Sequence, residues 1–297
     1  MRINPDTSSD LLSLLSRSQE DQQTAIQQLS SGRKASKPSD DPSAMAAVTQ
    51  LHRREMQTDE FLQSISSVRE FLSTADSTLN SVVQGLDRAI TLGVEGATDT
   101  QSASNRQSLA QDVRGIQDQL LSLANTSFRG GYIFGGTATQ SAPFAVDATQ
   151  PSGVRYDGNS KVDSIEIGDR RQIASGLSGD QIFTSSESDV FASLSSLATA
   201  LDNNDVQGIQ DATGQVRLAF DHVTSSRVVY GNQLAQLDSD ERYLNQSQLL
   251  TKTRETELVG ADPAAAVSQL QQAQFARDAT LAAAARTQLM SLLDYLN

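Results

Sequence analysis

The strongest constraint in this sequence is a stripe of residues spaced alternately four and three apart. It runs from Ala44 through Val48, Leu51, Glu55, Thr58, Leu62, Ile65, Arg69, Leu72, Asp76, Leu79, Val83 and Leu86 to Ile90. Ten of these fourteen positions are apolar, which defines one buried face of a helix and excludes the every-second-residue pattern of a strand. The spacing predicts one helix about 70 Å long, at 1.5 Å per residue. Asp41 followed by Pro42 supplies its N-cap and first-turn residue.

A second stripe follows at Leu109, Val113, Ile116, Leu120 and Leu123, and the polar stretch 98–105 before it reads as the turn of a helical hairpin. A third runs through Ile209, Thr213, Val216, Phe220, Val223, Arg227, Tyr230, Leu234, Leu237, Glu241, Leu244, Gln248, Thr251, Glu255 and Leu258. Its length, about 75 Å on the same rise, matches the first. Long amphipathic helices of matched length bury their stripes against one another. The expected rod core is Val48, Leu51, Leu62, Ile65, Leu72, Leu79, Leu86, Leu120, Phe220, Leu234 and Leu237. The interruptions Glu55, Arg69, Asp76, Arg227 and Glu241 either set the register by pairing charges or mark where the stripe turns to solvent. Thr58 is assigned to solvent.

Between residues 137 and 186 the helical period disappears. Short alternating pieces, 154–156, 162–167 and 182–183, are punctuated by Gly153, Gly158, Gly168, Gly176 and Gly179, the pattern of a small β-rich insert. Gly130-Gly131 and Gly135-Gly136 read as hairpin turn glycines; no Lys-Ser or Lys-Thr follows to make a phosphate loop.

The ends differ from the body. Leu11, Leu15, Ser18, Gln22, Ala25 and Leu29 keep the four-three spacing with a polar middle. Phe275, Ala279, Ala282, Ala285, Leu289, Leu292, Leu293 and Leu296 form an alanine-padded stripe behind an Asp262-Pro263 start signal. Helices this narrow-faced are unstable alone and need partners. Either the two ends pair within one chain, or they order only when neighbouring copies bury what remains exposed. The self-association residues expected are Leu11, Leu15, Ala25, Leu29, Phe275, Ala282, Leu289, Leu292, Leu293 and Leu296.

Together these features predict a mainly α fold: an elongated antiparallel helical bundle or coiled coil with a small β-rich inserted outer domain. The two chain ends are each other's obvious candidates for pairing in a terminal coiled-coil domain. The segments are 1–41, 42–136, 137–186, 187–260 and 261–297. With no cysteine, two histidines and a formal charge of -13 over 297 residues, thiol chemistry is excluded and nucleic-acid binding is not expected. Apolar runs such as 281–285 fall far short of the roughly 20 residues of a membrane span, and the start of the chain has no cationic lead into an apolar run, so no cleaved leader is expected. His52 and His222 lack a second histidine or cysteine at ligand spacing. Asp40-Asp41 reads as helix capping, and Asp238, Asp240 and Glu241 as a solvated helix face. No Gly-x-Ser-x-Gly elbow exists. The expectation is therefore no catalytic centre, no metal and no cofactor.

The tract Leu29-Ser30-Ser31-Gly32, then Pro38 and Asp40-Asp41-Pro42-Ser43-Ala44, resembles the amino-terminal signature of the flagellin superfamily. Leu123-Ala124-Asn125-Thr126 and the run from Gly130 to Thr137 are similar to the close of that family's helical hairpin. The run 132–137 with Pro143-Phe144, the pieces Tyr156-Asp157-Gly158, Ile165 and 178–183, and the ending 291–296 resemble the branch that joins hook to filament. Residues 33–38 depart from the filament-subunit pattern. The resemblance covers residues 1–144 and 187–297, and the insert more loosely. It implies a structural subunit of the bacterial flagellum that forms a short junction ring on which filament assembles. Implied partners are copies of itself, a neighbouring hook-associated protein, flagellin, and a cytoplasmic export chaperone at the C-terminal region, without nucleic acid or membrane insertion. Export through the flagellar type III pathway to the extracellular flagellum follows from the same resemblance. The alternatives are a filament flagellin and, from another class, a type III-secreted tip or translocator-like helical protein.

Overall fold

The structure, a computed structural model, describes residues 6–295, with side chains over 9–285. Among the described residues the chain forms α1 (Asp6–Ser31), α2 (Pro42–Gly96), α3 (Ala103–Ala124), β1 (Ser127–Phe128), β2 (Gly131–Tyr132), β3 (Phe144–Val146) and β4 (Val154–Tyr156). It continues through β5 (Ser164–Gly168), β6 (Arg171–Ala174), α4 (Gly179–Phe183), α5 (Val190–Asp202), α6 (Val206–Val259) and α7 (Pro263–Tyr295). Two compact units result: residues 1–57 with 246–297, and residues 58–245. The division falls inside the long helices α2 and α6, not at their ends.

In the unit 58–245, α2 buries Ile65, Val68, Leu72, Ala75, Leu79, Val82, Leu86 and Ala89. Every second member, Ile65, Leu72, Leu79 and Leu86, is an expected seam residue. The members between them sit one residue earlier than expected: Val68 replaces Arg69, and Ala75 replaces Asp76. On α6 the same correction appears, with Ala219 and Ser226 buried beside Val223, Tyr230, Leu237 and Leu244. Alanine or serine at several alternate positions lets the helices approach closely. Asp240, expected on a solvated face, is instead buried within the seam at 3% exposure and paired with Arg171. Arg69, Asp76, Arg227 and Glu241 fall beside the seam. There Arg69 pairs with Glu241, and Arg227 Nε donates to Asp76 Oδ1 at 3.0 Å while its Nη1 donates to Asn80 Oδ1 at 3.0 Å. Leu62, Phe220 and Leu234 are half-buried against this core, and Leu120 is fully inside it.

The helical hairpin is fastened by a residue that periodicity does not reveal. Arg106, 4% exposed, donates to the carbonyls of Gly96 at 2.7 Å and Thr98 at 3.0 Å, and also to Asn204. It thereby satisfies orphan carbonyls at the end of α2 and ties in the α5–α6 turn.

β1 and β2 form a hairpin whose turn residues, Arg129 and Gly130, both have positive φ (50° and 86°), as a tight antiparallel turn requires. β3 pairs with β4 and β5 with β6, all antiparallel. The expected strand piece 182–183 is instead the end of α4, because Phe183 is drawn into an aromatic cluster. Phe134, Phe144, Phe183 and Phe191 lie with neighbouring ring centroids 5.2–6.1 Å apart, and they share one core with α2, α3, α5 and α6. α5, which the helical stripes did not single out, packs on α3.

Candidate assembly surface

The terminal helices belong to the unit 1–57 with 246–297. α1 ends where Gly32, at φ +66°, donates its N–H to the Gln28 carbonyl at 2.9 Å, the left-handed stop that glycine alone adopts without strain. The chain then pairs antiparallel with the stretch between α6 and α7. Lys34 N donates to Val259 O at 2.7 Å, and Ala261 N donates to Gly32 O at 2.9 Å. Asp40 folds the next stretch into a turn by accepting from the backbone N–H groups of Lys37 (2.9 Å) and Ser36 (3.0 Å). Those two bonds hold its carboxyl below the usual carboxylate range.

Asp41 accepts from Ala44 N at 2.9 Å and so caps α2, which lowers its pKa too. Asp262 caps α7 in the same way through Ala264 N at 2.9 Å. Ala35, Ala44, Val48 and Val259 make a small separate core under this crossing. Val48 therefore belongs to this unit's core, and Leu51 is half-buried.

α1 packs against α7. On α1 the covered positions are Leu11 and Leu15 (half-buried), Ser18 (buried), Gln22 (half-buried) and Ala25 (1% exposed). These follow the predicted spacing, while Leu29 lies at the exposed margin. On α7 the covered positions are Ala266, Leu270, Ala273, Thr280 and Ala284. Phe275 and Ala282 are exposed instead; at 100° per residue they occupy the face opposite Ala273 and Thr280. The predicted α7 stripe is thus a second face, directed away from α1. Leu289, Leu292 and Leu293 fall within α7 but their side chains lie outside the described residues, as does Leu296 altogether.

The sequence reading missed the inner seam of α7 because alanines carry little hydrophobic signal. It also missed Leu12, Leu14, Ile26, Val267 and Leu281, which are 67%, 53%, 49%, 43% and 45% exposed. Phe275 is 78% exposed. The pair of helices thus buries small residues between its members and directs large apolar ones outward.

Residues 6–139 match the bacterial flagellin N-terminal helical region, and residues 213–296 match the bacterial flagellin C-terminal helical region. Flagellar hook-associated protein 3 of Escherichia coli (strain K12) is 29% identical over 295 residues, covering 90% of each chain. Its namesake in Salmonella typhimurium is 28% identical over 290 residues, again covering 90% of each. Among solved structures, the flagellar junction protein of Legionella pneumophila shares the fold with a TM-score of 0.62 at 14% identity, over 72% of this chain and 99% of that one. With both terminal helical regions matched and the helices they describe in place, the chain belongs to the bacterial flagellin family.

Proposed function

We propose that this protein is a structural subunit of the bacterial flagellum that joins hook to filament, acting by packing and not by chemistry. The observation that carries this reading is the outward apolar surface of α1 and α7, which a single chain leaves in water although both helices are otherwise paired. Burying that surface between copies supplies the drive for assembly. The full-length likeness to proteins named hook-associated protein 3 favours the junction role over the filament role.

Charge supports the same division of labour. Residues 58–245 hold 24 of the 36 acidic but only 12 of the 23 basic residues, a net of -12, whereas the unit containing the terminal helices nets -1. Bodies of like charge repel, so close contact between copies belongs to the near-neutral unit.

The partners in this reading are further copies in a ring, a neighbouring hook-associated protein, flagellin, and an export chaperone on the C-terminal region before type III export. No described helix is long and apolar enough to cross a membrane, which gives a translocator-like role no support. Purified protein seeded with filament fragments is expected to add short caps and stop. Growth of long filaments from this protein alone would assign it to the filament instead.

A further inference from the structure

Among the described residues, one group of three metal-ligating side chains converges: His52, Glu55 and Glu255, whose ligand atoms all lie within 4.8 Å of one another. His52 and Glu55 are three apart on α2 and therefore share a helix face. Glu255 comes from α6, 203 residues away in sequence, and its Oε1 lies 3.0 Å from His52 Nε2. All three belong to the unit 1–57 with 246–297. The sequence alone could not assemble this group, since neither histidine has a second histidine or cysteine at ligand spacing and Glu255 is brought in only by the packing of α6 on α2.

The charges around the group are those a divalent ion would need. Glu55 and Glu255 bring two negative charges, and two basic side chains balance them: Arg33 on Glu255, and Lys252 Nζ at 3.5 Å from Glu55 Oε1. The carboxylates are sheltered, with side chains 14% and 23% exposed, while Arg33 and Lys252 are 43% and 59% exposed on long flexible stems. Both basic side chains reach the carboxylates from the solvent side on long stems and can return their charged heads to water. His52, 45% exposed, leaves the group open to water and to an entering ion.

We propose that His52 Nε2, Glu55 and Glu255 form a binding site for one divalent cation of the zinc class. The ion takes the place of Lys252 at Glu55 and of Arg33 at Glu255, so that the net charge of the cluster is unchanged when both basic side chains swing into water. One imidazole nitrogen with two carboxylates, completed by water, suits zinc and its first-row neighbours better than calcium or magnesium. Because the ligands come from two helices, the site exists only when α2 and α6 are docked, and the bound ion favours that docked form. The ion also competes with the Arg33 guanidinium, which helps to hold the segment after α1, so metal and the anchoring of that segment are linked.

The test is calorimetric titration of the full-length chain with zinc, repeated with cobalt and its visible absorption, together with thermal unfolding. The expected result is one equivalent bound and a melting temperature that rises until that equivalent is reached. His52→Ala and Glu255→Gln weaken binding by at least about tenfold. Lys252→Ala, which removes a competitor and no ligand, tightens it. His222→Ala, distant in sequence and bonded to the Gln181 carbonyl, leaves it unchanged, and circular dichroism confirms that each variant is folded. Affinity equal in the wild type and His52→Ala would show an adventitious ion only. An absence of saturable binding in both the wild type and Lys252→Ala would reduce the cluster to an ion-pair node, and calcium bound more tightly than zinc would overturn the assigned ligand class.

Discussion

Replacing Phe275 by Gln separates what the terminal helices do for one chain from what they do between chains. A phenylalanine side chain buries roughly 150–250 Å² when covered. At 78% exposure, Phe275 therefore offers about 150 Å² for burial. At about 25 cal/mol per Å² this is at most about 4 kcal/mol. If a neighbouring copy covers half of it, the loss is about 2 kcal/mol per contact, or about 30-fold in association constant. Within one chain the same change removes no buried contact, and glutamine is a good helix former, so monomer stability should move by less than about 0.5 kcal/mol. Sedimentation across a concentration series reads the first quantity and urea unfolding of the dilute protein reads the second. Association at wild-type concentrations would refute the reasoning, and so would a loss of monomer stability as large as the loss in assembly.

Four further outcomes follow from the geometry. Arg227→Asp should cost about 1.5 kcal/mol, combining a pair worth under about 1 kcal/mol at one-third exposure with repulsion from Asp76; the double exchange Asp76→Arg with Arg227→Asp should recover most of it in a urea double-mutant cycle, and no recovery would remove this pair from register control. Tyr230→Phe strips the acceptor from Leu177 N–H, 3.1 Å away, at a cost of about 1–2 kcal/mol. Burial pushes the Tyr230 hydroxyl up to about 12; the folded form thus keeps a proton that the unfolded chain releases near 10, and alkaline unfolding curves should show stability falling between those values in the wild type and less steeply in the variant. Arg106→Met leaves the Gly96 and Thr98 carbonyls without their donor and should cost about 3 kcal/mol in thermal or urea unfolding. Because Asp40 is held below its ordinary pKa, its contribution is present above about 3.9 and lost only as pH falls through the lower folded value; the amide resonances of Ser36 and Lys37 should stay in place down to about pH 4 and shift below it.

The long helices were legible because one member of each seam pair is large. Ile65, Leu72, Leu79 and Leu86 on α2, and Val223, Tyr230, Leu237 and Leu244 on α6, are buried where the four-three spacing put them. The small alternate members were not legible, and the reason is physical. Ala75, Ala89, Ala219 and Ser226 gain little from leaving water, so their burial is set by how closely two helices approach, which is a tertiary fact. The spacing consequently drew Arg69, Asp76, Arg227 and Glu241 into the seam, where the structure has them flanking it in cross-helix pairs. The end of α4 shows the same limit. Ile182-Phe183 has the local preference of a strand, and only the surrounding Phe134, Phe144 and Phe191 rings make a short helix the better way to bury Phe183. The caps Asp41 and Asp262 were legible because each acts within three residues of itself, so no distant partner had to be known.

The pairing of the terminal helices inverts the relation between size and burial that holds in the core of the unit 58–245. In the unit 58–245 the large side chains Leu72, Leu79, Phe183 and Tyr230 are inside. Between α1 and α7 the fully covered residues are Ser18, Ala25, Ala266 and Ala273, while Leu12, Ile26, Phe275 and Leu281 remain outside. A sequence shaped only to stabilise its own fold would exchange these sets, since an inward Phe or Leu contributes about 1.5–3 kcal/mol more than one left in water. The inversion leaves the intrachain pair weak and its outer surface adhesive. Weak pairing keeps a helix with few buried apolar groups easy to open. Under the proposed junction role the same outward residues would gain their burial only when a further copy arrives, which would make the order of the ends and the growth of the assembly one event. That link predicts that Phe275→Gln lowers, together with assembly, the extra protection against amide exchange that α1 and α7 acquire in assembled protein, while leaving their exchange in the monomer unchanged.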